Sequence, residues 1–497
     1  MAGVKDITRR LDALPTTGFL GISSYYWGLL LKTGVGWAMD SMDTFLFTYL
    51  GSSKAGEGGW IKALKPTSHE QGLLASAAFA GSLVGSFLFG QLADLYGRKT
   101  MFMVTLLIFM VGTLLCGAAN NFGTMLTFRF LAGFGLGGEL PVASALVQEM
   151  VPSAVRGRMI VILESFWSIG CMLAVLLSYE LLKHVSWRTV FYLSAIPALW
   201  AAVIRFWVPE SPKWLAHVGR VGEAEAIVET IEAKHGVTNK KTDEIDGEGA
   251  DPLGWTALKP WDRIAILFRG EFLARTIVLW IVWIGIAFSY YAIYIWLPVI
   301  RSKEKGGHNI NGSTWEMFFI VFWQLPGYIS ASYLVEIIGR KITLVIYLFC
   351  AFGSALAFGY VDNSQWNLLI SGAFMSFFML GAWGSLYAYT PENYPTGIRA
   401  TGCSCPSGFS RIGSIAGPYV MPLMIDAGWS SKKIMWVAGG APLLFITIVL
   451  LVFGFESRGQ DLESVPKIEA YLKNKAGVVE LATPVVDKAD VVYEKQN

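Results

Sequence analysis

Twelve apolar runs of about twenty residues, each bounded by charges or turn residues, leave this chain few choices of solvent. They fall near 29–49, 71–92, 101–119, 125–147, 159–182 and 189–208, and again near 275–299, 316–337, 342–360, 366–390, 400–424 and 434–455. Runs of that length suit helices crossing a bilayer, because a helix satisfies its own backbone hydrogen bonds where no water can. The expected fold is an all-α membrane protein of twelve transmembrane helices in two six-helix bundles. Asp, Glu, Lys and Arg make up 15% of the 497 residues, against roughly 25% in an ordinary soluble domain. A net charge of +2 without a clustered basic surface gives no reason to expect nucleic acid as a partner.

The runs also divide the chain. Residues 1–28, polar and mildly amphipathic, read as a cytoplasmic N-terminal segment and not as a cleaved signal peptide. Residues 29–208 form the first bundle and 273–457 the second. Between them 209–272 carries Lys240-Lys-Thr-Asp-Glu-Ile-Asp-Gly-Glu248, too polar for a bilayer, and reads as a cytoplasmic linker. Residues 458–497 read as a cytoplasmic tail. An even number of spans puts both termini on one side. Arg9, Arg10, Arg98-Lys99, Arg340-Lys341, the linker and the tail favour the inside. Lys54, Lys62, Lys65, Lys183, Arg188, Arg301, Lys303, Lys305, Lys432 and Lys433, in loops of the opposite face, argue the other way. With the termini inside, the sequon Asn311-Gly-Ser313 faces out. Cys116, Cys171, Cys350, Cys403 and Cys405 all fall in apolar segments and read as buried thiols, with no disulfide framework or metal site expected.

Two carboxylates interrupt the first run, Asp40 and Asp43. An ionisable group midway through a span costs roughly 2.5–3.5 kcal/mol on insertion scales, so it faces a protein-lined cavity or a partner. Arg129 in the fourth span and Asp43 both lie roughly 7–9 Å below the outer surface at 1.5 Å per residue, so the two can pair. Asp40 is deeper, on the cavity face. A carboxylate withdrawn from water beside a like charge favours its protonated form, which makes Asp40 the expected proton-coupling residue and Asp43 its companion, with Glu139 and Glu164 as competing carriers.

The two halves repeat. Asp94-Leu-Tyr-Gly97-Arg98-Lys99 returns as Glu336-Ile-Ile-Gly339-Arg340-Lys341, Glu149-Met-Val-Pro152 with Arg156 returns as Glu392-Asn-Tyr-Pro395 with Arg399, and Pro209-Glu210-Ser211 is echoed by Phe455-Glu456-Ser457. Parallel repeats of this kind are a transporter architecture, in which rocking of the halves exposes a midplane site to each side. Asp94, Arg98, Glu149 and Arg156, with Glu336, Arg340, Glu392 and Arg399, read as two charge networks that latch one conformation by exchanging partners. Anchoring of helix ends is the plainer alternative. Together with Arg129-Phe-Leu-Ala-Gly133-Phe-Gly-Leu-Gly-Gly138 and Pro209-Glu-Ser-Pro-Lys-Trp214, these motifs resemble the major facilitator superfamily over essentially Leu11 to Glu463. Gly137-Gly-Glu-Leu-Pro-Val-Ala-Ser144, the Asp40-x-x-Asp43 pair and Leu163-Glu-Ser-Phe-Trp167 are similar to its branch of niacin transporters, aromatic acid/proton symporters and synaptic-vesicle-2-related proteins.

Gly133-Phe-Gly-Leu-Gly-Gly138 satisfies the dinucleotide pattern GxGxxG, but no strand precedes it and it lies inside an apolar helix, so close helix packing is expected there, as at Gly81 and Gly85. The eleventh span repeats Ser404, Ser407, Arg411 and Ser414 on one face. A buried guanidinium there wants an anion and suits a carboxylate bidentately. The resemblance implies the same, since a basic residue at this place accompanies anion carriers in related organic-ion transporters. A pairing of Arg411 with Glu392, or with a backbone carbonyl cluster near the inner surface, remains the structural alternative. Trp283, Tyr290 and Tyr294 share a face of the seventh span, and Trp383 and Tyr387 of the tenth, where they can stack a ring. Trp37, Arg129, Gln324 and Ser407 complete the candidate substrate ligands.

The expected function is proton-coupled import of a small aromatic or heteroaromatic monocarboxylate such as nicotinate or a benzoate-like acid. The expected protein is a monomer in a plasma or bacterial inner membrane, with no cofactor beyond the proton gradient. A sugar facilitator or sugar:proton symporter is the alternative, although Trp283 to Tyr291 lacks the paired glutamines that sugar porters use. A membrane enzyme or non-transporting receptor is disfavoured, for want of a nucleophile with its base, a metal-ligand cluster or a phosphate loop on an aqueous face.

Overall fold

The computed structural model describes residues 2–52, 59–205, 207–237, 260–300, 314–362, 364–394 and 396–456. The sequon at Asn311, the charged run from Lys240 to Glu248 and the 458–497 tail lie outside the described residues, as does the Asp94 side chain. Every regular element among the described residues is helical. α1 (Ala2–Asp12) precedes the first long helix, α2 (Ser24–Ser52), and the short α3 (Trp60–Leu64). α4 (Ser68–Tyr96), α5 (Arg98–Ala118), α6 (Phe122–Met150), α7 (Ser153–Tyr179) and α8 (Trp187–Arg205) complete a first set of six long helices. α9 (Pro212–His217), α10 (Val221–Lys234) and α11 (Pro260–Leu267) follow in the linker. The second set runs through α12 (Gly270–Ile300), the broken passage α13 (Thr314–Phe322) and α14 (Gln324–Ile337), α15 (Arg340–Tyr360), α16 (Gln365–Tyr389), α17 (Thr396–Asp426), and the passage α18 (Ser431–Met435) to α19 (Ala441–Phe453).

Eight of these passages have both the length and the hydropathy to cross a membrane. α2, α6, α8 and α17 are 29, 29, 19 and 31 residues long, also enough to cross. Three of them, α2, α6 and α17, carry the buried acids and bases described below, so their hydropathy is lower by construction. The helices outrun the apolar runs because capping residues extend them into polar sequence. Thr67 and Glu70 form a capping box at the start of α4, and Asn121 and Thr124 form one at the start of α6. The eighth passage breaks at Trp323, and the twelfth winds through a π-helical turn at Trp436–Gly440.

The repeated loops have matching geometry. Gly97 and Gly339 take φ of 98° and 108°, a region in which only glycine is unstrained, and each lets the next helix start at once with its Arg-Lys pair. Glu210 accepts hydrogen bonds from the backbone N–H groups of Arg98 at 3.0 Å and Lys99 at 3.1 Å, placing an anion on the N-terminus of α5. Glu456 stands at the equivalent place, where a Cβ on Gly339 would lie 3.5 Å from its carboxylate oxygens. The echo of Glu210-Ser211 in Glu456-Ser457 therefore supplies a carboxylate to the same helix end in each half.

Close packing sets the helix pairs. Gly81 and Gly85 of α4 face the carbonyls of Phe130 and Phe134, while Gly133 and Gly137 of α6 face those of Ala78 and Ser82, leaving no room for a Cβ. The GxGxxG match is thus a helix-packing surface. The two helix sets meet along α4 with α17 and along α7 with α13 and α14. At the end remote from the linker, Tyr49 donates to the Tyr294 carbonyl at 3.3 Å, Ser76 to the Ile415 carbonyl at 2.7 Å, and Thr314 to the Glu180 carboxylate. At the linker end, α1 is a docked helix, more than the polar segment expected of residues 1–28. Ile7, Leu11 and Leu14 pack in one apolar cluster with Val228 and Ile231 of α10, and Arg10 holds Glu232 through two hydrogen bonds of 2.9 and 2.6 Å.

Candidate functional site

Both helix sets line a central cavity, of which about 30 Å³ is open to the centres of water-sized spheres. The first set contributes Trp37 from α2 with Glu164 and Trp167 from α7. The second contributes Trp283, Tyr290 and Tyr291 from α12 and Tyr328 from α14. Leu380, Trp383 and Tyr387 follow from α16, and Ser407, Ser410 and Arg411 from α17. The rings meet largely edge to face: Trp283 lies 5.6 Å from Trp383 at 75° and 5.0 Å from Tyr387 at 86°. Trp283 is fixed by donating to Thr390 Oγ1 at 3.0 Å, and Trp167 donates across the two sets to the Tyr290 hydroxyl at 2.8 Å. Such walls, aromatic with a few aimed polar groups, suit a flat ring.

One strong cation enters this apolar space. Arg411 is half-buried beside Tyr291 and makes no ion pair among the described residues. Glu392, its alternative partner, instead binds Arg340 at 2.8 Å. Glu164 stands beside Trp37, within electrostatic reach of Arg411 and Asp40. Glu164 Oε1, Trp37 Nε1 and Trp383 Nε1 are buried without a hydrogen bond among the described residues. Each such group costs about 1–3 kcal/mol until a ligand or water meets it.

The other candidates sit around the cavity and do not line it. Arg129 binds Asp43 at 2.6 Å, with both side chains buried, and Thr113 donates to the other Asp43 oxygen at 3.0 Å. Engaged there, Arg129 does not line the cavity with the other expected substrate ligands. Asp40 is buried one turn closer to the linker end, in electrostatic reach of Glu139 and Arg411. Glu139 is also buried. Tyr294 donates to Ser376 at 3.1 Å, and Gln324, fully buried, lies one turn from Tyr328 with neither amide atom hydrogen-bonded among the described residues. Tyr294 and Gln324 therefore also fall outside the cavity wall on which they were expected.

The charged loops pair within each half: Arg98 with Glu149 at 3.0 Å and Arg340 with Glu392 at 2.8 Å. Arg156 donates to the Val151 carbonyl at 3.5 Å and Arg399 to that of Tyr394 at 3.2 Å. Glu336 differs from the expected pattern, since it approaches Arg158 of the other helix set at 3.7 Å. Both groups are well exposed, so this is the weakest of the pairs.

Trp167, Tyr291, Tyr328, Leu380 and Ser410 also line the cavity, although the sequence did not mark them as substrate ligands. Spacing carried a signal for most of them. Trp167 is three residues from Glu164, Tyr328 four from Gln324 and Leu380 three from Trp383, all one turn apart on a helix face.

A family model described as "Sugar (and other) transporter" matches residues 33–468. The chain belongs to this family of membrane transporters. The proton:xylose symporter of the major facilitator superfamily, solved bound to 6-bromo-6-deoxy-D-glucose, superposes with a TM-score of 0.68 at 18% identity, covering 90% of this chain and 99% of the other. That likeness shows the fold. Among curated family members, the niacin transporter of Acinetobacter baylyi is 40% identical over 93% of this chain and 99% of its own. The putative niacin/nicotinamide transporter of Bacillus subtilis is 37% identical over 88% and 97%. The synaptic vesicle 2-related protein of Bos taurus is 28% identical over 91% and 82%.

Proposed function

We propose that this transporter imports a small aromatic or heteroaromatic monocarboxylate, nicotinate first among them, by proton symport. Arg411 binds the carboxylate, the rings of α12 and α16 hold the aromatic body, and Asp40 carries the proton. The bundles of 29–208 and 273–457 rock about the cavity to give alternating access, in a plasma or bacterial inner membrane with both termini cytoplasmic and the protein a monomer. The observation that carries this reading is a half-buried guanidinium, without an ion pair among the described residues, in a cavity walled by aromatic rings. The names of the two bacterial relatives support nicotinate in particular. A sugar would call for many hydroxyl partners, and no Asn or Gln lines the cavity among the described residues.

Uptake by proteoliposomes of labelled nicotinate, benzoate, glucose and a quaternary amine, with and without an inward proton gradient, tests the proposal. Nicotinate is expected to accumulate only with the gradient. Uncoupled glucose uptake would overturn both substrate and mechanism.

A further inference from the structure

Glu164 lines the cavity from the first helix set and Arg411 lines it from the second. The acid is 2% exposed, and its Oε1 makes no hydrogen bond among the described residues. Its neighbours satisfy it at most in part. The Trp37 indole stands beside it and interacts with it without a hydrogen bond of good geometry, and Arg411, though within electrostatic reach, makes no ion pair with it. The cavity therefore presents a cation on one wall and an unmatched acid on another, with aromatic rings between. Asp40, Asp43 and Glu139 do not line this space, so Glu164 is the acid a ligand would meet among the described residues.

Aromatic walls and a guanidinium treat a benzoate and a pyridine carboxylate almost alike, because both offer the same carboxylate and a ring of the same size. Discrimination between them needs a polar group at the far edge of the ring. Resting on the reading of the substrate as an aromatic monocarboxylate, we propose that Glu164 recognises a basic ring nitrogen in the molecule whose carboxylate Arg411 binds, and so selects pyridine carboxylates over benzoates. One proton lies between the acid and the nitrogen. Whether it sits on oxygen, donated to the nitrogen lone pair, or on nitrogen, donated to the carboxylate, the pair carries no net charge. A neutral, hydrogen-bonded pair is tolerated in a dry cavity where a lone carboxylate is not. A benzoate presents a C–H at that edge and leaves Glu164 unmatched.

Direct binding of nicotinate and benzoate to the purified full-length protein tests this with two variants. The native protein is expected to bind nicotinate about tenfold tighter than benzoate, as one net hydrogen bond to a charged or strongly polar partner allows. Glu164→Gln still offers an N–H donor to the ring nitrogen and keeps most of that preference. Glu164→Leu brings the two acids within about twofold of each other, with benzoate binding retained as the sign of a folded site. A Leu variant that keeps the native preference, or a native protein that does not prefer nicotinate, overturns the role of Glu164. If the Leu variant binds neither acid, Glu164→Gln decides, and loss of the preference there overturns it too. A native protein that binds neither acid refutes the carboxylate reading itself, a separate failure.

Discussion

Asp43 on α2 and Arg129 on α6 meet at 2.6 Å with both side chains buried, while the guanidinium lies 4.4 Å over the Phe47 ring. Asp43 is thus a tie between helices, and Asp40, three residues away, has no such hydrogen-bonded or ion-paired partner among the described residues. Breaking a buried pair from one side leaves a lone charge, which costs about 3–5 kcal/mol, whereas removing both charges costs far less. Asp43→Asn and Arg129→Gln should each lower the melting temperature in detergent by more than the double variant does. Additive single effects would show that the two do not act as a pair.

Asp40 is buried within electrostatic reach of Glu139, Arg411 and Arg129, and in the proposed mechanism it carries the proton. Asp40→Asn should abolish gradient-driven accumulation in proteoliposomes while leaving exchange of internal for external substrate. Accumulation up a proton gradient by the Asn variant would remove Asp40 from the coupling step.

Outside the membrane spans, burial and then the nearby Arg156 pull the Lys213 ammonium below its ordinary value of 10.5, against the opposing pull of Asp12 and Glu149. A base depressed in the folded state binds fewer protons folded than unfolded. Its charge therefore costs stability below the folded value, and the cost fades as pH rises from that value toward 10.5, above which it is gone. Lys213→Met should raise the melting temperature at neutral pH, and the gain should shrink as pH approaches that value.

The stripe of Gly81 and Gly85 against Gly133 and Gly137 lets α4 and α6 touch backbone to backbone. Gly133→Leu would drive a side chain into the Ala78 carbonyl. Overpacking of this kind costs about 1–3 kcal/mol or more, so the variant should aggregate on size exclusion, whereas Gly157→Leu, where nothing lies within 4 Å, should not. Equal behaviour of the two would mean that α4 and α6 can separate without loss.

Much of this was legible in the sequence because bilayer solvation imposes a long, simple pattern. The apolar runs, the repeat and the depth match of Asp43 with Arg129 all follow from helical rise and hydropathy. The cavity wall was harder to read. Trp37, Trp283, Tyr290, Trp383, Tyr387, Ser407 and Arg411 line it, yet Tyr294, on the same face of α12 as Tyr290, turns instead to Ser376. A stripe identifies a buried face, but which turn of it meets the cavity depends on where the opposing helices diverge, and one helix does not encode that. The docking of α1 on α10 was hidden for a related reason. Its apolar stripe of Ile7, Leu11 and Leu14 is short, and its ion-pair partner Glu232 lies 222 residues away from Arg10.

Arg411 carries the account, and the affinity of purified protein for nicotinate tests it most directly. Losing a charge-assisted hydrogen-bonded partner should weaken binding by about 10- to 100-fold in Arg411→Gln, with size-exclusion profile and melting temperature unchanged. A folded Arg411→Gln protein that binds nicotinate as tightly as the native one would contradict the account.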